Sequence, residues 1–204
     1  MAVTLLVAMA LPLLMPSSFT KGADWITSVI EGVLLVALVV ADPGRIDRRS
    51  MLVRGLSIGL VVILVLGATF VTVRLVDDLV SGGPETNSAA QLLRVGGLVW
   101  VYLVITFAFL YWELDSGGPE ARARAMPQFP SFAFPEQLNP RIARPGWQPE
   151  FFDYLYLGFT NATAFSPTDV MPTSRWAKLA MAVQAMSSLV VLGLVIARAV
   201  NILK

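Results

Sequence analysis

Residues 151–204 read FFDYLYLGFTNATAFSPTDVMPTSRWAKLAMAVQAMSSLVVLGLVIARAVNILK, and this stretch decides the fold. It opens with an aromatic-rich run in which Asp153 or a neighbour can begin a helix, and Pro167 forbids the continuation of that helix. After a polar turn, 19 uncharged residues separate Lys178 from Arg198, which is about the length that crosses a bilayer. A short apolar helix, a polar turn and a spanning helix together predict a re-entrant pore loop. Such irregular backbone is tolerated at membrane depth only beside protein or a water-filled cavity.

The composition is typical of a polytopic membrane protein. Of the 204 residues, 56% are hydrophobic and only 14% are charged, and the mean hydropathy is +0.70. The chain has no Cys, which excludes disulfides and thiolate metal sites, and no His, which removes the commonest metal ligand and acid–base residue. A net charge of +1 gives no indication of a nucleic-acid partner. We therefore predict an all-α transmembrane protein without enzymatic activity, metal or cofactor.

Two further runs predict membrane-spanning helices. Residues 55–73 are 19 uncharged residues and residues 95–112 are another 18. The polar connection at 76–91 contains a Gly-Gly-Pro breaker at 82–84.

The N-terminal part of the chain is less regular. Residues 1–20 carry no charge and lack the basic start of a secretory signal, while Pro12 and Pro16 disfavour a straight span. The apolar run 25–41 contains Glu31, and a carboxylate inside the membrane is a candidate functional group unless it reaches the interface. We predict two short membrane helices here, and hence about five spans plus the re-entrant helix.

Residues 113–150 lose all periodicity and separate a transmembrane region, 1–112, from the module at 151–204. A loop of this length is usually functional or flexible. Its aromatic residues argue against disorder, so we expect it on the membrane surface or over the mouth of the last helices. Glu113, Asp115 and Glu120 lie near several arginines, and we predict an interfacial salt-bridge network rather than a metal site.

The run 160–169, TNATAFSPTD, resembles the pore-helix end and filter of tetrameric potassium channels. Their pattern is a threonine-rich turn followed by TVGYGD. Thr160 and Thr163 match threonines of that pattern, Asp169 matches its aspartate, and Pro172 falls where many such channels have a proline. The segment also resembles an uncharacterised family of bacterial integral-membrane proteins, which has a DFLYFSFT opening, a Ser-x-x-Asp-like turn and a closing Ala-Val-Asn-Leu. Both resemblances cover about the last quarter of the chain.

The filter positions depart from the potassium pattern, because they hold Ala164, Phe165, Ser166, Pro167 and Thr168 and both filter glycines are missing. In a potassium filter, backbone carbonyls replace the hydration shell of the ion. The backbone path this needs is supplied at little cost by glycine, whereas Pro167 fixes its own φ near −65° and constrains Ser166. The resemblance therefore implies a homo-tetramer around a central axis, in a bacterial plasma membrane, with a filter of another kind.

These observations define the candidate site residues. The predicted pore-lining and filter-like residues are Thr163, Ala164, Phe165, Ser166, Pro167, Thr168 and Asp169. The alternative for this turn is a helix cap, in which Ser166 or Asp169 binds free backbone amides. The inner-helix candidate carries the polar residues Gln184, Ser187 and Ser188 among small residues, which suit either packing within the chain or contact between subunits.

We therefore expect a channel-like protein of the bilayer that passes ions or small solutes. The alternatives are a non-conducting scaffold that keeps a pore-domain-like fold and a six-span protein unrelated to channels. If all apolar runs cross, including 151–166, ten Lys and Arg residues lie on the side of the C-terminus and five on the other, as expected for a cytoplasmic C-terminus. If 151–176 re-enters and the C-terminus stays cytoplasmic, that count reverses. The shortness and polarity of 151–166 favour re-entry, whereas the charge count favours six spans.

Overall fold

A computed structural model describes residues 2–16, 32–33, 51–82, 88–124, 129–139, 141–163 and 169–202. Within these residues the chain is mainly helical and has one pair of short strands. Three helices are long and apolar enough to cross a membrane: α2 (Met51–Ser81), α3 (Ala89–Leu114) and α7 (Arg175–Ile202). They contain the three uncharged runs described above, so the chain is a helical membrane protein.

The remaining elements are short. They are α1 (Ala2–Leu13), a 3-10 turn (Asp115–Gly117), α4 (Pro119–Arg124), β1 (Phe132–Ala133), α5 (Pro135–Leu138), α6 (Phe151–Thr163) and β2 (Met171–Pro172). Helix α1 has 12 residues, or about 18 Å, which is too short to cross a bilayer core of about 30 Å. The second predicted N-terminal helix, with Glu31, lies outside the described residues apart from 32–33, which are helical.

Helix α2 is longer than its uncharged run predicts. It continues through Asp77 and Asp78 to Ser81, and the chain turns only at Gly82, where φ is +77°. The prediction of a polar connection beginning at residue 76 is therefore wrong by about six residues. With 31 residues, α2 is about 46 Å long, so its charged end extends past a hydrocarbon core of about 30 Å.

Helix α3 forms the centre of the bundle, because α1, α2, α6 and α7 all pack against it. Two thirds of its spanning region is buried (67%), compared with 28% for α2 and α7. Residues 102–109 are buried without interruption. The outer faces of α2 and α7 expose apolar side chains, which is the expected arrangement where a spanning helix faces lipid.

Neighbouring spans run in opposite directions. Gly96 lies against Val195, while Tyr111, further along α3, donates a hydrogen bond to Gln184, nearer the start of α7. The short connection between α2 and α3 makes that pair antiparallel as well. The start of α2, the end of α3 and the start of α7 therefore share one end of the bundle, which we call the Asp115 end.

Candidate functional site: the ends of the 151–172 segment

The chain reverses sharply after α3. Ser116, Gly117 and Gly118 have φ values of 55°, 86° and 93°, a left-handed conformation that costs glycine little. A Cβ atom on Gly118 would lie 3.1 Å from the backbone oxygen of Glu113. The reversal folds α4 back against the end of α3.

The carboxylate of Asp115 lies at the centre of this end and is completely buried. Its Oδ2 accepts a 2.6 Å hydrogen bond from the hydroxyl of Tyr154. Its Oδ1 accepts three bonds, from the backbone N–H groups of Ser131 (3.0 Å) and Phe132 (3.3 Å) and from the hydroxyl of Ser116 (2.7 Å). One carboxylate therefore joins α3, the surface loop and α6 through charge-assisted bonds.

The guanidinium of Arg122 supplies the neighbouring positive charge. Its Nη1 donates to the backbone oxygens of Asp115 (2.6 Å) and Trp112 (2.9 Å), and its Cζ lies 4.5 Å from the Trp112 ring centroid and 5.0 Å from that of Tyr154. Burial lowers the pKa of Arg122, whereas Tyr154, Asp115 and Glu113 raise it, and arginine stays charged in proteins. The buried carboxylate is thus accompanied by a cation, which offsets part of its desolvation cost.

Residues 130–133, which we call the strap, connect the surface loop to the chain just before α7. Strands β1 and β2 are antiparallel, with Phe132 opposite Pro172 and Ala133 opposite Met171. The strap therefore holds the position of the residues that follow the predicted filter-like turn.

Three further hydrogen bonds extend this pairing. The backbone N–H of Thr173 donates to the oxygen of Ser131 at 2.9 Å, and the Thr173 hydroxyl donates to the oxygen of Pro130. The indole of Trp176, in the first turn of α7, donates to the hydroxyl of Ser131 at 3.2 Å. The strap is thereby bonded to the start of the last span.

The aromatic ring of Phe132 anchors the strap in the bundle. It is completely buried, and its centroid lies 5.0 Å from that of Tyr111, 5.5 Å from that of Trp176 and 6.5 Å from that of Tyr154. These partners belong to α3, α7 and α6, and edge-to-face aromatic pairs add about 0.5–1.5 kcal/mol each beyond area burial. Phe132 therefore packs where three helices meet.

Helix α6 starts at the Asp115 end and runs inward along α3. Tyr154 binds Asp115, and one turn later Gly158 packs so closely on α3 that an added Cβ would lie 3.0 Å from the oxygen of Val104. Phe159 stacks edge-on against Trp100 at 5.8 Å. Trp100 is close to the midpoint of α3, so α6 reaches about halfway along the central helix.

Both ends of the 151–172 segment lie at the same end of the bundle. Tyr154, near its start, binds the Asp115 carboxylate directly, and Pro172, at its end, pairs with Phe132, whose N–H binds the same carboxylate. Seven residues, 164–170, connect α6 to β2, and they can reach over about 23 Å when extended. The segment therefore leaves the Asp115 end and comes back to it.

A second polar cluster joins α6 to α3 and α7. The buried Oε1 of Gln184 accepts 2.7 Å hydrogen bonds from the Tyr111 hydroxyl and from Nδ2 of Asn161, and Nε2 of Gln184 donates to the oxygen of Gly158 at 2.8 Å. Nδ2 of Asn161 also donates to the oxygen of Met181 at 2.9 Å. The interior amide predicted to act either within the chain or between subunits thus binds within the chain.

The structure describes some of the predicted site residues. Thr163 is the last residue of α6, and its hydroxyl donates to the oxygen of Thr160 at 2.8 Å, while Asp169 is exposed. Ser188 is completely buried and Ser187 is half-buried. The residues outside the described part are Glu31, Ala164, Phe165, Ser166, Pro167 and Thr168.

The acidic residues after α3 differ from the predicted interfacial network. Glu120 does pair with Arg124 at 2.6 Å on the surface, but Asp115 is a buried hydrogen-bond acceptor and Glu113 is also buried. The prediction was therefore wrong for Asp115, because the reversal at 116–118 encloses its carboxylate. The Asp-Ser-Gly-Gly sequence at 115–118 indicates a turn, but it does not indicate which distant residues bind the carboxylate.

No protein-family model, no curated protein and no solved structure matches the chain. The resemblance to channels consequently depends on the few motif residues at 160–172. The function proposed below is therefore based on the geometry of the described residues.

Proposed function

We propose that the chain is a channel-like integral membrane protein of the bacterial plasma membrane, in which residues 151–172 re-enter the bilayer and border a path for ions or small solutes. The supporting observation is that both ends of this segment attach to the Asp115 end of the bundle. Helix α6 has 13 residues, or about 20 Å, and a hydrocarbon core of about 30 Å is too thick for it to cross. This length also disfavours the six-span alternative.

A helix that ends at membrane depth needs polar surroundings. The last four carbonyl groups of a helix lack backbone partners within it. In α6 the carbonyl of Thr160 accepts from the Thr163 hydroxyl, and lipid cannot satisfy the others, so protein or a water-filled cavity must. The sequence after α6 continues with Ser166, Thr168 and Asp169, which can interact with water or ions. This polarity favours a hydrated path with a filter unlike that of potassium channels.

The proposed assembly is a homo-tetramer, as the resemblance implies. Helix α6 exposes Phe152, Tyr156 and Phe159 in a single chain, and of these Phe159 also contacts Trp100 of α3 with one edge. These residues lie at spacings of four and three, which is one helix face. Neighbouring copies would cover that face around the central axis.

A non-conducting scaffold is the second candidate, and one observation favours it. Gln184, Asn161 and Thr163 all form hydrogen bonds within the chain. Polar side chains satisfied in this way stabilise helix packing and contribute less to a hydrated pathway. In this reading, the segment would serve assembly alone.

The distribution of basic residues suggests the orientation. Each basic residue can be assigned to the helix end that is nearest to it in the sequence. With 151–172 re-entrant, ten of the fifteen Lys and Arg residues are then assigned to the Asp115 end and four to the other end, with Lys21 unassigned. The ten are Arg45, Arg48, Arg49, Arg54, Arg122, Arg124, Arg141, Arg144, Arg175 and Lys178. The positive-inside rule then makes the Asp115 end cytoplasmic and the C-terminus external. The conflict between charge count and re-entry arises only if the C-terminus is taken to be cytoplasmic.

Cysteine labelling tests this arrangement, and the cysteine-free chain gives no background. We expect Gln148→Cys and Met171→Cys, before and after α6, to resist a membrane-impermeant maleimide in intact cells and to react after lysis. Asn201→Cys should react in intact cells. All three positions are exposed in the structure. Reaction of Gln148→Cys and Met171→Cys from opposite sides would show that the intervening segment crosses the bilayer.

Flux measurements in proteoliposomes test the function. We expect the wild-type protein to pass at least one of Na⁺, K⁺, Ca²⁺ or a small anion. If the path conducts cations, Asp169→Ala should reduce the flux by roughly tenfold at low ionic strength and by less at high salt, because a carboxylate at a mouth concentrates cations. The matched control is Asp77→Ala, which removes another exposed carboxylate and should leave the flux unchanged. No flux with any of these solutes would favour the scaffold instead.

A further inference from the structure

The strap contacts the bundle through two sides that differ in burial. On one side, Phe132 is completely enclosed by aromatic rings, and the backbone amides of Ser131 and Phe132 bind the buried Asp115 carboxylate. On the other side, Met171 is 57% exposed and Thr173 is exposed. The strap is therefore attached firmly to α3 and α6, and more weakly to the chain that leads into α7.

This difference decides which contact opens first. Two paired residues form a marginal sheet, and exposed backbone hydrogen bonds belong to the least stable class in a folded protein. Withdrawing Phe132 would uncover a large aromatic side chain and deprive the buried Asp115 carboxylate of the two backbone amides among its four donors. Local opening should consequently separate β2 from β1 and leave Phe132 in place.

Separation would free the end of the polar turn. Only Val170 lies between Asp169 and β2, and Val170 is buried against the core. Opening of the pair would also withdraw Val170 from its apolar contacts, which keeps the open form the minor one. The structure holds the closed state, which fixes the chain directly after Asp169.

We propose that the β1–β2 pair is a latch, which holds the chain directly after Asp169 and regulates passage beside the Asp169 carboxylate. The latch is closed when Ala133 faces Met171 and Thr173 binds the strap, and it is open when these contacts separate. The regulatory part rests on the proposed permeation function, whereas the opening itself does not.

A disulfide across the pair tests the opening. In the double variant Ala133→Cys/Met171→Cys, the two residues are direct cross-strand partners, a separation that a disulfide can bridge. Oxidation should slow hydrogen exchange of the Thr173 amide, which donates to Ser131, by at least about tenfold relative to the reduced protein. Each single variant, treated with the same oxidant, serves as the control. Failure to form the bond, or a formed bond without slower exchange, would overturn the latch.

A second variant weakens the latch without any cross-link. Thr173→Val removes the hydroxyl that donates to the oxygen of Pro130 but keeps the backbone amide, and it should speed exchange of that amide severalfold. Thr69→Val is the matched control, because it removes an exposed threonine hydroxyl that donates to Val65 on α2. Equal exchange at residue 173 in both variants would contradict the proposal.

Flux through the same double variant tests regulation. In proteoliposomes, oxidation should change the flux by at least about threefold, and a reductant should reverse the change. If the wild-type protein passes no solute, the proposed function fails and the exchange measurements still decide whether the latch exists. If the wild-type protein conducts and the locked protein conducts equally, the latch has no regulatory role.

Discussion

Replacing Asp115 with alanine is expected to lower the free energy of unfolding by about 3–5 kcal/mol, the usual cost of removing one partner from a buried charged group. The substitution leaves the Tyr154 hydroxyl and the amides of Ser131 and Phe132 without their acceptor. It also removes one of the two carboxylate charges, those of Asp115 and Glu113, that act on the buried Arg122. Unsatisfied buried polar groups cost about 1–3 kcal/mol each, so several small losses combine at one position.

Thermal unfolding of the purified protein in detergent measures this effect, and a shift of about 10 °C is expected for a chain of this size. Asp77→Ala makes the same chemical change at an exposed position and should shift stability by less than about 0.5 kcal/mol. Asp115→Asn retains an acceptor oxygen, so its stability should lie between those of Asp115→Ala and Asp77→Ala. Equal stability of Asp115→Ala and Asp77→Ala would show that the carboxylate does not organise this end of the bundle.

The substitution Gly96→Leu is expected to lower the free energy of unfolding by about 2–3 kcal/mol or more, which is the upper part of the usual cost of overpacking a core. A Cβ atom at Gly96 would lie 2.7 Å and 3.1 Å from the two Cγ atoms of Val195. Val195 is buried in α7, and a β-branched side chain in a helix has one strongly preferred rotamer. The clash must therefore push α3 and α7 apart.

The adjacent glycine provides the control. Gly97 is exposed, and an added Cβ there meets no atom within 4 Å, so Gly97→Leu should be neutral or stabilising because leucine is the better helix former. Unfolding in SDS or by heat measures the stability of each variant, and Gly96→Leu should unfold more easily than Gly97→Leu. The double variant Gly96→Ala/Val195→Ala should lose less stability than the sum of its single variants, because the second change removes the clashing methyl groups. Identical behaviour of Gly96→Leu and Gly97→Leu would disprove the close helix contact.

The spanning helices could be predicted because their signal is local. A run of about 19 uncharged residues suffices to identify a helix at 55–73, 95–112 or 179–197, and the structure contains each of them within a longer helix. The helix ends were less predictable. Helix α2 passes two aspartates before Gly82 ends it, because charged residues beyond the membrane core remain compatible with a helix.

The Asp115 site could not be predicted, since its partners are distant in the chain. Asp115 and Tyr154 are 39 residues apart, and Tyr111 and Gln184 are 73 apart. Neither pair follows from helical or strand periodicity, and an aspartate just after a spanning helix usually faces the headgroups. The loop at 113–150 likewise shows no period, although Phe132 within it proves to be a core residue.

The sequence by itself determined that the chain is a helical membrane protein with three apolar runs of spanning length, because hydrophobic length is a local property. It also determined that α6 must be short and followed by a polar turn, because Pro167 forbids its continuation. Only the tertiary structure decided where that segment begins and ends. Hydrogen bonds to one buried carboxylate and the pairing of β1 with β2 bring both of its ends to the same end of the bundle, because closing a buried polar network requires partners that are far apart in sequence.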